Sequence, residues 1–117
     1  MAKLSTHVLD TARGIAAAGV GIELHRVNAA ARVLIATAST NADGRTDRPL
    51  LQSDRIEPGV YELSFHAGDY LRKAGHALTS PPFLDIVVVR VGIADPEASY
   101  HVPLLLSPYG YSTYRGT

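Results

Sequence analysis

The chain has 117 residues, a length that fits one domain built on a single core. Lysine plus arginine equal aspartate plus glutamate at 11 each, so the net charge is zero and the basic surface of a nucleic-acid binder is not indicated. There are no cysteines, which excludes disulfides, thiolate catalysis and cysteine-ligated zinc, and no apolar run approaches the roughly 20 residues that cross a bilayer.

In chain order, Met1 to His7 lacks the apolar core of a signal peptide, so a cytoplasmic protein without membrane attachment is expected. Leu4 to Leu9 reads as a short strand, closed by Asp10-Thr11-Ala12-Arg13-Gly14. Val20 to Val27 alternates, with Val20, Ile22 and Leu24 on one face and Gly21, Glu23 and His25 on the other, the mark of a half-buried strand. Arg32 to Thr40 has strand character, and Asn41-Ala42-Asp43-Gly44 is a turn signal. A short segment, Arg45 to Leu51, leads to a turn at Pro58-Gly59. Val60 to His66 alternates again, setting Tyr61, Leu63 and Phe65 opposite Glu62, Ser64 and His66.

Ala67 to Ala77 reads as the only helix, with Asp69 near its positive end and Gly75 near its close. Phe83 to Val91 is the strand richest in apolar residues, and its consecutive Ile86, Val87, Val88 and Val89 suggest burial on both faces. Asp95-Pro96-Glu97 turns the chain into a strand from Ser99 to Leu106. Ser107-Pro108-Tyr109-Gly110 then turns it into the last, Tyr111 to Arg115. Seven or eight short strands with closely spaced turn signals and one helix predict an all-β sandwich.

Five histidines supply the side chains that titrate near neutrality: His7, His25, His66, His76 and His101. His7 and His101 each sit mid-strand among apolar neighbours. Taken singly, either reads as a structural or surface residue. His25 and His66 fall on polar strand faces and His76 on the helix. No His-x-His or His-Glu-x-x-His occurs, so no metal site is expected. No Gly-x-Ser-x-Gly elbow is present, and Gly19-Val20-Gly21 opens a strand rather than a helix, unlike a phosphate loop. Arg45 follows a tight turn, where an arginine is normally solvated but can also meet a planar ligand rich in carbonyls and ring nitrogens. The ending Tyr114-Arg115-Gly116-Thr117 puts a phenol, a guanidinium and a carboxylate after an apolar run. It reads as a tail pinned into the surface and facing a polar ligand.

Three stretches together resemble the transthyretin-like 5-hydroxyisourate hydrolases. They are Leu4-Ser5-Thr6-His7-Val8-Leu9-Asp10-Thr11, Thr40-Asn41-Ala42-Asp43-Gly44-Arg45, and His101-Val102-Pro103-Leu104-Leu105-Leu106-Ser107-Pro108-Tyr109-Gly110-Tyr111-Ser112-Thr113-Tyr114-Arg115-Gly116. The resemblance runs over nearly the whole chain, residues 1–117, and implies one transthyretin-like domain: two four-stranded sheets with a short helix after the fifth strand. It implies a homotetramer, a dimer of dimers, with active sites between dimers and no cofactor. The implied reaction is hydrolysis of 5-hydroxyisourate to 2-oxo-4-hydroxy-4-carboxy-5-ureidoimidazoline in urate degradation.

Carried over motif by motif, the site residues are His7, Arg45 and His101 for catalysis. Tyr114, Arg115, Gly116 and Thr117 join His7 and Arg45 for substrate binding. Members of the family usually end in serine; here Thr117 keeps the hydroxyl. His7 is the favoured general base, with His101 positioning substrate or relaying a proton, Arg45 stabilising the oxyanion, and Arg115 holding the tail. The competing expectation is a transthyretin-type carrier of a small aromatic ligand in the intersubunit channel.

Overall fold

A computed structural model describes residues 1–117 as nine strands and one helix. β1 (Ala2–Asp10), β2 (Ile15–Ala16), β5 (Leu51–Ser53), β8 (Ser99–Ser107) and β9 (Gly110–Thr113) form one sheet. β3 (Gly21–Val27), β4 (Arg32–Ser39), β6 (Gly59–His66) and β7 (Ile86–Ile93) form the other, in the order β4-β3-β6-β7. In the first sheet β8 runs parallel to β1 from Lys3 to Asp10 and so occupies one whole edge of it. The other edge is shared by β5, against Ala2 to Leu4, and by β2, against Leu9 and Asp10. These two short pieces together fill one strand position. The transthyretin-like sandwich of two four-stranded sheets is therefore present, with one edge strand delivered in parts.

The core follows from alternation. β1 turns Ala2, Leu4, Thr6, Val8 and Asp10 inward and Lys3, Ser5, His7 and Leu9 outward. Leu4 and Val8 meet Leu24, Leu63, Phe65, Leu104 and Leu106 in one fully buried cluster between the sheets. Thr6 is buried too, and its hydroxyl donates to the Val102 carbonyl at 2.7 Å, which meets the rule that a buried polar group needs a partner.

The helix α1 (Ala67–Lys73) is four residues shorter than expected, because Gly75 takes φ +81° and turns the chain out of the helical region. It packs through Ala67, Gly68, Tyr70 and Leu71. The strand expected over Phe83 to Val91 begins at Ile86 and is buried on one face only. Ile86 is 49% exposed and Val88 44%. β7 is an edge strand of its sheet, and within this chain only its inner face meets the opposite sheet.

His25 and Glu62, on the polar faces, are buried rather than solvated. Arg32 lies over them, donating to Glu62 Oε1 at 2.7 Å and to His25 Nε2 at 3.2 Å, while Arg90 binds the other carboxylate oxygen at 2.9 Å. The two arginine hydrogen bonds hold the Glu62 carboxyl below its ordinary range.

Candidate active site

The outward face of β1 and β8 carries the titratable groups. Parallel register sets Lys3 beside Ser99, Ser5 beside His101 and His7 beside Pro103. Registered partners in a sheet project to the same face, so these six residues form three successive rows. His7 and His101 are one row and one strand apart, about 8 Å between Cα atoms at standard strand spacings. The Ser5 hydroxyl is 2.8 Å from His101 Nδ1 and orients that ring.

Arg45 arrives through a turn organised by Asn41. The Asn41 side-chain oxygen accepts from the Asp43 N–H at 2.9 Å and the Arg45 N–H at 3.3 Å, and its backbone N–H donates to the Arg45 carbonyl at 2.7 Å. Gly44 has φ +76°, and a Cβ there would strike the Val8 carbonyl and lie 3.3 Å from the His7 ring. Glycine is thus required for the turn to press against β1. The Gly44 carbonyl accepts from the Val8 N–H at 2.8 Å, and Arg45 forms a bridge with His7. His7 Nε2 lies 2.9 Å from the Asp43 carbonyl oxygen. A carbonyl only accepts, so Nε2 carries the proton and Nδ1 is the basic atom of the neutral ring.

The tail closes the same face. Thr113 donates its hydroxyl to the Pro103 carbonyl at 2.7 Å, and Gly116 N–H donates to the His101 carbonyl at 2.8 Å. A Cβ on Gly116 would lie 2.7 Å from His101 Cδ2, so only glycine passes this close to the imidazole. Arg115, expected both to bind substrate and to hold the tail, does not line the cavity that His7 and His101 share. Its guanidinium sits 4.2 Å from the centroid of the Tyr100 ring and lines an adjoining groove with Val89, Val91 and Val102, which shares Tyr100 and Tyr114 with the cavity. Neighbours in an extended chain project to opposite sides, and Arg115 accordingly clamps the tail through a cation–π contact.

His7, Arg45, His101, Tyr114, Gly116 and Thr117 line one cavity of about 490 Å³. Lys3, Ser5, Leu9, Ser99, Tyr100 and Pro103 complete its wall. These last six were not singled out from the sequence, although period-two alternation through His7 and His101 points to Lys3, Ser5, Leu9, Ser99 and Pro103 as their same-face neighbours. The cavity has no Asp or Glu side chain in its lining. Arg45 takes part in no ion pair.

Burial, then the Arg45 cation and then His7, push the His101 pKa below its ordinary value of 6.5, so the ring is neutral at pH 7. Ring-proton NMR of His101 is expected to show a titration midpoint below 6.5, and Arg45→Gln to move it upward by removing the repelling cation. A midpoint unmoved by Arg45→Gln would separate Arg45 from this site electrostatically.

The other histidines lie elsewhere. His66 pairs with Glu23 at 3.1 Å. His76 follows the helix rather than sitting on it and donates to Asp10 Oδ2 at 2.7 Å. No group of three or more His, Asp or Glu side chains is arranged to hold a metal ion.

Known proteins share this arrangement of chain and fold. A protein called 5-hydroxyisourate hydrolase 2 from Rhizobium meliloti (strain 1021) is 58% identical over 115 residues, 98% of this chain and 96% of that protein. The solved 5-hydroxyisourate hydrolase of Klebsiella pneumoniae superposes with a TM-score of 0.80 at 31% identity, covering 98% of this chain and 99% of that one. An (S)-allantoin synthase structure superposes with a TM-score of 0.93 at 40% identity over 99% of this chain, which spans 44% of that larger protein. The model of the HIUase/Transthyretin family matches residues 4–116. On full-length sequence identity and a shared sandwich alike, the chain belongs to the HIUase/Transthyretin family.

Proposed function

We propose that this protein hydrolyses 5-hydroxyisourate to 2-oxo-4-hydroxy-4-carboxy-5-ureidoimidazoline, using the cavity on the outer face of β1 and β8. The observation that carries this reading is the meeting of two imidazoles, an unpaired guanidinium and the chain's tail around one space of about 490 Å³. Opening a ring at a carbonyl requires an activated water, stabilisation of the tetrahedral oxyanion and protonation of the departing nitrogen.

His7 supplies the base. Its Nε2–H is held by the Asp43 carbonyl, which leaves Nδ1 to take a proton from water. The same hydrogen bond stabilises the imidazolium that forms. The water oxygen bonds to the ring carbonyl carbon, and Arg45, unneutralised by any carboxylate, balances the charge that develops on the carbonyl oxygen. The carbon–nitrogen bond then breaks. His101, neutral and oriented by Ser5, carries the proton from His7 to the departing nitrogen. Water is thus divided between the new carboxylic acid and the new N–H. Tyr114, Gly116 and Thr117 bound the substrate space, and Arg115 fastens them from the other side through Tyr100.

The Arg45 turn and the tail flank the cavity on this sheet face and leave its mouth open. A homotetramer, assembled as a dimer of dimers in the cytoplasm, would bring a neighbouring subunit over that opening. The wall supports hydrolysis over carriage of a small aromatic ligand: of its 12 residues only 3 are hydrophobic, whereas small-molecule carriers line their sites mostly with apolar groups.

The test is the absorbance decay of freshly generated 5-hydroxyisourate with and without protein, beside a variant ending at Thr113. The full chain should accelerate decay, and loss of Tyr114 to Thr117 should abolish the acceleration with the β-sheet circular dichroism unchanged. A shortened protein with full turnover would remove the tail from the site.

A further inference from the structure

The walls of the cavity carry more positive than negative charge. Lys3 and Arg45 are full cations, His7 and His101 are imidazoles, and no Asp or Glu side chain faces them, so that the terminal carboxylate of Thr117 is the one anionic group in the wall. Neither Lys3 nor Arg45 enters an ion pair. A groove with an excess of one sign of charge over a low-dielectric sheet focuses its field on whatever enters. Such a wall favours a ligand of opposite charge.

Lys3 is placed to meet that ligand. It projects from β1 on the same face as Ser5 and His7. It precedes the Ser5–His101 row by two residues, about 7 Å along the strand, and His7 by about 13 Å. A lysine stem is long enough to span most of the shorter distance, and Lys3 lines the same cavity as His101, while Arg45 enters from the opposite end, bridged to His7. Its neighbours across the sheet, Gln52 and Ser99, are uncharged, so no carboxylate competes for it there. Its charge lies well within the ~8–10 Å over which salt leaves surface charges interacting.

We propose that Lys3 is a substrate-binding residue that selects the anionic form of a planar nitrogen heterocycle, and that it and Arg45 grip the ring from opposite ends. The inference rests on the hydrolase reading for its kinetic test. Hydrolysis creates a carboxylate, so the same two cations also hold the product until it leaves.

The experiment compares wild type, Lys3→Gln, Lys3→Glu and Lys3→Arg in 5-hydroxyisourate decay at low and moderate salt. Lys73→Gln, on the exposed end of α1, serves as the control. Lys3→Gln should raise KM about three- to tenfold at low salt, Lys3→Glu more, with little change in kcat. Added salt should raise KM of wild type, and that dependence should flatten in Lys3→Gln. Lys3→Arg should restore binding, and Lys73→Gln should behave as wild type. A KM indifferent to Lys3→Glu at low salt would overturn the proposal.

A second measurement separates this failure from failure of the reaction assignment. Urate, an anionic ring that the protein need not transform, is titrated into the same variants by calorimetry. Salt-sensitive urate binding that weakens in Lys3→Gln, in a protein without hydrolase activity, would uphold the anion site and sink the reaction. Equal urate affinity in wild type and Lys3→Glu would reject the anion site itself.

Discussion

The His7→Ala variant is expected to lose about 10²–10⁴-fold in kcat for 5-hydroxyisourate, the range a positioned general base supplies. Its melting temperature should move by only a few degrees. The prediction combines two facts about one ring. His7 points away from the core, so deleting it opens no internal cavity. The only hydrogen bond of its side chain is to the Asp43 carbonyl, at the surface turn that also delivers Arg45. The chemical loss is therefore large and the structural loss small.

The neighbouring imidazole provides the contrast. His101 packs against Gly116 and is joined to Ser5, so His101→Ala removes turnover and also loosens the tail. Kinetics of both variants, read beside thermal melts, distinguish the roles. If His7→Ala retained kcat within tenfold while His101→Ala lost it, His101 would be the base. The acid limb of the wild-type rate profile is then informative. A ring whose pKa burial and Arg45 push down stays neutral, and so able to accept a proton, to lower pH than free imidazole.

Local regularities of the sequence reached far into this structure. The alternation in Val20 to Val27 and in Val60 to His66 set which apolar side chains enter the core. Gly44 and Asn41 announced the turn that places Arg45. The three motif stretches come from remote parts of the chain, and the fold draws His7, Arg45, His101 and the tail to one cavity. What escaped was decided by neighbours distant in sequence. Four consecutive apolar residues, Ile86 to Val89, suit a strand covered on both faces, yet β7 is an edge strand with one face open in the single chain. His25 and Glu62 occupy a polar face, and only the positions of Arg32 and Arg90 across the sheet reveal that they are buried.

Arg115 shows the same limit at shorter range. The tetrapeptide gave its residue types but not which would face the cavity. The Tyr100 ring, fifteen positions earlier, holds the guanidinium in the adjoining groove, outside the cavity lining. Ser5 was legible in principle, since it lies two residues before His7 on an alternating strand. Its partnership with His101, however, depends on the parallel register of β1 with β8, and nothing local specifies that register.

Asp10→Ala should be the most destabilising single change outside the apolar core. Asp10 was read as the first residue of a turn, but it ends β1 facing inward and is fully buried. Its Oδ2 accepts from the Tyr70 hydroxyl at 2.8 Å and from His76 at 2.7 Å, and Oδ1 accepts from the Arg13 N–H at 3.2 Å. One carboxylate thereby ties the end of β1 to the helix and to the turn that follows it. Removing it strands the Tyr70 and His76 donors, a loss of about 3–5 kcal/mol for breaking a buried charged network from one side. For a chain of this length that corresponds to a fall in Tm on the order of 10–20 °C. Turnover at low temperature should survive, because Asp10 is not part of the cavity wall.

The pH dependence carries a definite sign. Burial raises the Asp10 pKa, but the hydrogen bonds from His76, Tyr70 and the Arg13 N–H outweigh it, and the net value lies below the ordinary 3.8. The same burial and contact push the Tyr70 hydroxyl up to about 12, so it remains a donor throughout. A carboxyl depressed on folding contributes its full stability above its unfolded value and loses it as pH falls through the folded one. Urea unfolding should therefore show a gap between wild type and Asp10→Ala that is wide at pH 6–7 and narrows below about pH 4. Tyr70→Phe should reproduce only about 1 kcal/mol of it, since one donor is removed and none is stranded. A gap equally wide at pH 3 and pH 7 would mean that folding leaves the Asp10 pKa unshifted, and the ionic tie between β1 and the helix would have to be abandoned.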